Sequence, residues 1–158
     1  MKPLNRGASR GFTLVELVLV LTIAGVLATV AVPRMVDRSA FQTHGGAAEV
    51  RTALRYAQKL AMAKNREVCV TTTANNLTLT FEPTIASVCG VAAVIRPGGD
   101  PVSEPTFRVV LPASITLAPV AQFRFDGQGR PSTPISLTVV GGSSSVQVTV
   151  EQETGYVH

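Results

Sequence analysis

The sequence predicts an α+β protein in which the second half of a long N-terminal helix packs on a C-terminal antiparallel β-sheet. Three patterns support this fold class. Residues 12–32 are almost entirely apolar, residues 49–64 repeat apolar side chains at helical spacing, and the chain after Asn65 alternates apolar and polar residues. A helical part followed by several strands is an α+β plan.

The charge of the chain is concentrated near its N-terminus. The 158 residues carry a net charge of +4 and suit one globular domain preceded by one helix. Residues 1–11 contain Lys2, Arg6 and Arg10 and no acid, whereas the remaining chain has 11 basic and 10 acidic residues. Without its first residues the chain is therefore close to neutral, and its basic residues lie mainly between 34 and 66.

The apolar run 12–32 is long enough to cross a bilayer core, since 21 residues span about 31 Å as a helix. A secretory signal peptide is one alternative, because positive charges precede the run. The run exceeds a usual signal core, however, and the residues from Pro33 onward do not form a small-residue cleavage site. An ordinary single-span anchor is the second alternative, but it would not need Glu16, whose unpaired carboxylate costs about 3 kcal/mol or more in hydrocarbon.

Glu16 needs a positive partner. Cleavage between Gly11 and Phe12 would place a new amino group one helical turn away from this carboxylate, and a neighbouring subunit could supply the same amine in a filament. The sequence GFTLVE at residues 11–16 resembles the type III signal of type IV prepilins. The resemblance implies that a prepilin peptidase cuts after Gly11 and methylates Phe12, and that Glu16 helps to dock subunits.

The resemblance to type IV pilins also implies a division of the chain and a location. It implies a bacterial inner-membrane protein that crosses the membrane once, with its C-terminal domain in the periplasm, and that enters a pilus or pseudopilus. Its partners would be the peptidase, other pilins, an assembly platform and membrane lipid. The implied segments are a leader (1–11), a transmembrane and filament-core helix (12–32), a periplasmic half of the helix (33–66) and a β-rich domain (67–158).

The helix is predicted to kink or break at Pro33, to resume, and to break again at residues 44–46, which read His-Gly-Gly. The spacing in residues 49–64 predicts a buried face. That face consists of Val50, Leu54, Ala57 and Ala61, widened by Ala53 and Leu60. A basic stripe of Arg51, Arg55 and Lys59 lies beside it, either as a solvated edge or as a contact for acidic neighbours.

Several strands are predicted after the helix. Asn75 and Asn76 form a hairpin turn between two of them, and residues 107–111 form another strand after a proline- and glycine-rich loop. Residues 126–131, which follow Phe123 and Phe125, are of the types typical of turns. Residues 141–145 are predicted to connect the last two strands. The predicted strand positions are Val68, Val70, Leu77, Leu79, Phe81, Phe107, Val109, Leu111, Ile135, Leu137, Val139, Val146, Val148 and Val150.

Cys69 and Cys89 are the only cysteines, and a disulfide between them would close a loop of about 20 residues, contributing about 3 kcal/mol. Two buried free thiols are the alternative.

The sequence predicts no metal site and no cofactor, because two cysteines and two distant histidines, His44 and His158, lack ligand spacing. No nucleophile elbow or phosphate loop is present. The turn at 126–129 lacks the acids of a calcium loop. The chain is therefore predicted to be a non-enzyme.

Beyond the N-terminus the chain resembles the GspH/FimT group of minor pilins and pseudopilins. The segment Leu-Arg-x-Ala-Gln at residues 54–58, the paired cysteines and the ending 153–158 are most similar to minor pilins of the mannose-sensitive haemagglutinin pilus. The H-type pseudopilin of type II secretion is the alternative. Some FimT-like relatives bind DNA through a C-terminal Gly-Arg-x-Arg pattern, but residues 155–158 read Gly-Tyr-Val-His. DNA binding is therefore disfavoured, and Tyr156 is predicted to be the packed end of the last strand.

Overall fold

The structure is a computed structural model. The residues that it describes are 12–35, 38–81, 89–90, 92–98 and 106–158. The chain divides into two compact units, Met1–Asp37 and Arg38–His158. The first unit contains helix α1 (Leu14–Met35), and the second contains helix α2 (Arg38–Lys64) together with the strands.

Helix α1 includes the proline that is predicted to kink or interrupt it, and ends shortly afterwards, at Met35. The prediction that the helix resumes is confirmed, since α2 begins at Arg38. Over the ranges that the structure describes, no helix combines the length and the apolar character needed to cross a membrane.

Helix α2 is continuous, so the predicted break at residues 44–46 is wrong. Gly45 faces open space, whereas Gly46 is buried against the strands, where an added Cβ would lie 3.1 Å from Cδ2 of Leu111. The glycine pair thus allows close packing of the helix instead of ending it. The helix ends at Lys64, and Asn65 after it adopts a left-handed conformation with a φ of 47°, as the residue that follows a helix often does.

The predicted buried face of α2 is confirmed. Its members are at most 1% exposed, except Leu60, which is partly buried against the core. Ala47 extends the face by one turn toward the N-terminus. Small residues dominate this face, and they let the backbone of the helix approach the strands closely.

The strands form two antiparallel sheets, whereas the sequence predicts a single sheet. The larger sheet has the order β3-β2-β1-β6, with β4 also pairing with β2, and the smaller has the order β5-β7-β8. The strand bounds are β1 Val68–Thr72, β2 Asn76–Phe81, β3 Ala92–Ala93, β4 Arg108–Val110, β5 Ile115–Ala118, β6 Gln122–Phe125, β7 Ile135–Gly141 and β8 Ser144–Val150. Strands β3 and β5, of two and four residues, are not among the predicted strands.

Both predicted hairpins are present. Strands β1 and β2 pair from Val68↔Phe81 to Thr72↔Leu77, so Asn76 begins β2 and lies outside the turn. Strands β7 and β8 pair up to Gly141↔Ser144, which shortens the predicted turn to two residues. The inward side chains of both sheets and the apolar face of α2 form one core.

The glycine pair in α2 gives a test of the close packing. Gly46→Val is expected to destabilise the protein by about 1–3 kcal/mol, because the added side chain collides with Leu111 and Ile115. Gly45→Val, which introduces the same residue into open space one position earlier, should change the stability by less than about 0.5 kcal/mol. Urea denaturation of the detergent-solubilised full chain compares the two variants, and equal stabilities would contradict the packing argument.

Candidate functional site

The N-terminal segment is the first part of the candidate site. Phe12 is 78% exposed, and Gly11 lies outside the described residues. Thr13 caps α1: its Oγ1 accepts a hydrogen bond from the Glu16 backbone N–H at 3.2 Å, and its carbonyl accepts one from Leu17 at 3.1 Å. Glu16 therefore lies in the first turn, where the positive end of the helix dipole favours a carboxylate.

The capping role of Thr13 is a functional feature that the sequence reasoning misses. The signal is a threonine followed three residues later by glutamate, which is the pattern of a capping box. The carboxylate of Glu16 is exposed at the start of the helix. In this position it can accept a hydrogen bond from an amine, either from its own chain or from another.

The remainder of α1 presents an apolar surface. The side chains at positions 17–21 are all at least half exposed, and five consecutive residues cover the full circumference of a helix. The two hydroxyls of this region are satisfied within the helix, because Thr22 Oγ1 donates to the carbonyl of Leu19 and Thr29 Oγ1 to that of Val26, at 2.8 and 2.7 Å. Neither threonine requires a polar partner from outside.

The C-terminal segment is the second part, and two polar residues of α2 hold it. Arg55 donates two hydrogen bonds to the carbonyl of Val157, from Nε at 3.2 Å and Nη2 at 2.9 Å. Gln58 Nε2 donates to the carbonyls of Gly129 and Thr154, at 3.2 and 3.0 Å. The helical segment and the C-terminal ending singled out in the sequence are therefore in direct contact.

The basic stripe of α2 is not uniform, and neither predicted interpretation describes all of it. Arg55 binds the C-terminal segment of its own chain. The Nε atom of Arg51 is buried and, within the described residues, has no hydrogen-bond partner. Lys59 is exposed. Arg55 is exposed as well, so Arg55 and Lys59 fit the predicted solvated edge, whereas Arg51 is half-buried.

The end of the chain extends the smaller sheet. Val157 is buried and bridges Val150, and the backbones of Thr149 and His158 exchange two hydrogen bonds at 2.9 and 3.0 Å. Tyr156 is 59% exposed, so the prediction that it packs at the end of the last strand is wrong. The alternation of the extended segment turns Val157 inward and Tyr156 outward.

The ring of Tyr156 stacks on that of His158 with centroids 5.6 Å apart, and His158 Nε2 lies 3.8 Å from a carboxylate oxygen of Glu151. Glu153 is exposed nearby in the sequence. This surface therefore combines an aromatic pair with the carboxylate of Glu151.

The turn after β6 has a structural role. The Asp126 carboxylate accepts hydrogen bonds from the backbone N–H groups of Gln128 and Arg130, at 2.9 and 2.8 Å. Gly129 adopts a φ of +80°, and its carbonyl accepts a hydrogen bond from Gln58 Nε2. Among the described residues no cluster of three metal-ligating side chains occurs.

Cys69 and Cys89 are joined by a disulfide in the structure, with their Cα atoms 5.5 Å apart. Cys69 is completely buried in β1, and Cys89 is half-buried. The bond connects a central strand of the larger sheet to the segment that leads into β3.

Two family models match the chain. Residues 6–32 match the prokaryotic N-terminal methylation motif. Residues 46–154, more than half of the chain, match the family described as type II transport protein GspH. The chain belongs to the GspH family. Among curated proteins no sequence match reaches significance.

Solved structures show the same fold for this GspH-family chain. The type IV minor pilin FimU of Pseudomonas aeruginosa aligns with a TM-score of 0.54 at 16% identity, covering 73% of this chain and 85% of that one. Two structures of the minor pseudopilin EpsH from the type II secretion system of Vibrio cholerae align with TM-scores of 0.54 and 0.55. Their identities are 17% and 15%, and they cover 74% and 75% of this chain and 94% and 93% of their own.

The family places the chain among the minor pilins and pseudopilins, which are structural subunits and not enzymes. The methylation motif implies processing by a prepilin peptidase, a membrane-anchored N-terminus, and pilin or pseudopilin partners in a filament. The predicted pilin fold and non-enzymatic role are confirmed.

Arg55→Lys tests the attachment of the C-terminal segment. Lysine cannot donate the paired hydrogen bonds of the guanidinium, so we expect a loss of about 1 kcal/mol and faster exchange of the His158 amide proton. Arg51→Lys is the matched control one turn away, and it should cost nothing, because the buried Nε that it removes has no partner in the described structure. Equal effects of the two substitutions on stability and exchange would contradict the assigned role.

Proposed function

We propose that this chain is an MshC-type minor pilin of a type IV pilus of the mannose-sensitive haemagglutinin class. The observation that carries the proposal is the surface of α1, which is apolar around its circumference, has both hydroxyls satisfied internally, and directly follows a methylation motif. Such a helix suits first a bilayer and then the apolar core of a filament.

Processing starts with cleavage between Gly11 and Phe12 by the prepilin peptidase, which then methylates the new amine of Phe12. This step removes the three basic residues of the leader and leaves an amine near the start of α1. The apolar run 12–32 holds the chain once across the inner membrane, with the second unit in the periplasm. An oxidising periplasm would also maintain the disulfide of Cys69 and Cys89.

Glu16 docks the subunit. A carboxylate in apolar surroundings costs about 3 kcal/mol or more, so an amine is a strong partner for it. The amine comes from the same chain in the membrane and from a neighbouring subunit in the filament. An assembly platform in the inner membrane extracts the subunit, and head-to-tail contacts that do not close produce a helical polymer.

The contact between residues 54–58 and the ending 153–158 supports the choice of pilus, because both resemble the haemagglutinin-pilus minor pilins and they fold onto each other. The alternative is an H-type pseudopilin in type II secretion, which the family model and the fold of EpsH favour. DNA uptake is less favoured, since the exposed Tyr156 lies in an acidic ending that lacks both arginines of the DNA-binding pattern.

Substitution of Glu16 tests docking. Glu16→Ala should leave membrane insertion and processing intact and reduce the chain in sheared filaments about tenfold or more, because the partner of the amine is lost. Immunoblots of membrane and filament fractions measure both effects. Gly11→Leu serves as the control on the same gel, since it should retain the uncut precursor. Equal recovery of Glu16→Ala and wild type in filaments would count against the docking role.

Deletion of the gene distinguishes the two machines. If the chain is a minor pilin of a pilus, the deletion should remove the surface fibres, as seen by electron microscopy, and leave the secreted proteins unchanged. If the chain is a type II pseudopilin, the deletion should instead remove exported enzymes from the culture medium, as measured by mass spectrometry. Restoration by the wild-type gene is the control, and loss of exported enzymes with normal fibres would contradict the pilus assignment.

A further inference from the structure

The base of the second unit is the surface around the start of α2. It comprises the first two turns of that helix, the loop 112–114 and the β7–β8 turn at 142–143. Ser114 Oγ in the loop donates to the side-chain oxygen of Gln42 at 3.0 Å. The turn lies against Ser39, because a Cβ added to Gly142 would be 2.8 Å from the Ser39 Oγ atom. Three separate segments of the chain therefore meet at the base.

Phe41 projects from this base. Its side chain is 82% exposed, and within the described residues no large apolar side chain is more exposed. Phe41 lies in the first turn of α2, two positions before Thr43, which is completely buried. The helix therefore turns the phenylalanine ring away from the strands. The residues of the neighbouring loop and turn are small, uncharged and exposed, so the ring is surrounded by a smooth, neutral surface.

Acidic residues are absent from the described part of the base and lie toward the other end of the unit. The first acid of α2 is Glu49, about 12 Å beyond Phe41 along the helix. Glu67 follows the C-terminus of α2, and Glu151 follows the end of β8 that is distant from the β7–β8 turn. Arg38, by contrast, begins α2. A surface with an apolar ring, a basic residue and no acid suits the headgroup layer of an anionic bilayer.

The chain itself keeps the base close to the membrane. The apolar run ends at Val32, and residues 33–40, which separate it from Phe41, can span at most about 32 Å. This connection contains Arg34, Asp37 and Arg38, so its formal charge is +1. Such a short tether gives the base an effective concentration of about a millimolar at the surface. Even a weak contact with lipid is then occupied much of the time.

We infer that the base rests on the headgroup layer of the bilayer that holds α1, with the ring of Phe41 inserted at the boundary between headgroups and acyl chains. Apolar and aromatic side chains next to basic ones bind at this boundary. The inference rests on the proposed single span at residues 12–32. It gives the globular unit a shallow membrane contact of its own, which holds the unit against the membrane until the subunit is extracted.

Single-tryptophan variants test this contact, because the chain contains no tryptophan. Phe41→Trp places the reporter at the base, Leu21→Trp places it in the apolar run, and Tyr156→Trp is the matched control. Tyr156 is an exposed aromatic residue, and its neighbour Val157 binds Arg55, about 21 Å from Phe41 along α2. Each full chain is reconstituted into vesicles of phosphatidylethanolamine and phosphatidylglycerol. The acyl chains are brominated either next to the headgroup or at the bilayer centre.

The expected result is a different depth for each reporter. Bromine next to the headgroup should lower the emission of Phe41→Trp about twofold, and bromine at the bilayer centre should lower it less. Leu21→Trp should be quenched most strongly by bromine at the centre. Neither lipid should change the emission of Tyr156→Trp by more than about a tenth.

An added acid provides the second readout. Ser143→Glu places a carboxylate in the exposed β7–β8 turn of the base. In the Phe41→Trp chain it should lower the ratio of quenched to unquenched emission about fivefold, because the anionic headgroups repel it. Thr133→Glu is the matched control. Thr133 is exposed and precedes the end of β7 that pairs with Val150, away from the base, so this substitution should change the ratio less than about twofold.

The proposed contact is overturned if Phe41→Trp and Tyr156→Trp are quenched equally, if bromine at the centre quenches Phe41→Trp more than bromine next to the headgroup, or if the two added acids have equal effects. A blue-shifted but unquenched Phe41→Trp also overturns it, because a second copy of the chain would then cover the ring. Quenching at Leu21 without quenching at Phe41 contradicts the contact alone. Absence of quenching at Leu21 contradicts the proposed span, and the two failures are thereby distinguished.

Discussion

The globular unit depends on how closely α2 can approach the strands. Five positions of its inner face are glycine or alanine, and Gly46 is in near contact with Leu111, which follows β4 of the larger sheet, and with Ile115, which begins β5 of the smaller sheet. A larger side chain there would separate the helix from both sheets. Small side chains make few dispersion contacts by themselves. Here the large side chains of the strands lie directly against the small-residue face, so the interface is still densely packed.

The same helix also fixes the C-terminus, and this joins two regions that are far apart in the sequence. While the apolar side of α2 forms the core, Arg55 and Gln58 bind carbonyl groups of the last residues and of the turn at Gly129. Backbone carbonyls accept these bonds, so the attachment tolerates many side chains in the ending. The attachment therefore does not depend on the side chains of Tyr156 and His158, which can serve contacts outside the domain.

Much of the fold could be predicted from the sequence, because periodicity reports burial directly. The inner face of α2, the two hairpins and the alternation in β7 and β8 follow from spacing alone. The sequence did not reveal the second sheet, because alternation shows which side chains are buried and not which strands pair with one another. It also misled at residues 44–46, where glycine serves close packing in a helix, and at Tyr156, whose direction depends on the register of the final bridge.

The hydroxyls of Thr22 and Thr29 have a thermodynamic consequence for a subunit that changes surroundings. Each donates to a carbonyl of its own helix, so neither would have to break or form a hydrogen bond in the proposed transfer of α1 from lipid to a bundle of subunit helices. Over most of its length, moving between the two environments is a transfer between media of similar polarity, with a small net free energy. In the proposed assembly the direction is set near the helix start, where the carboxylate of Glu16 would exchange one ammonium counter-ion for another.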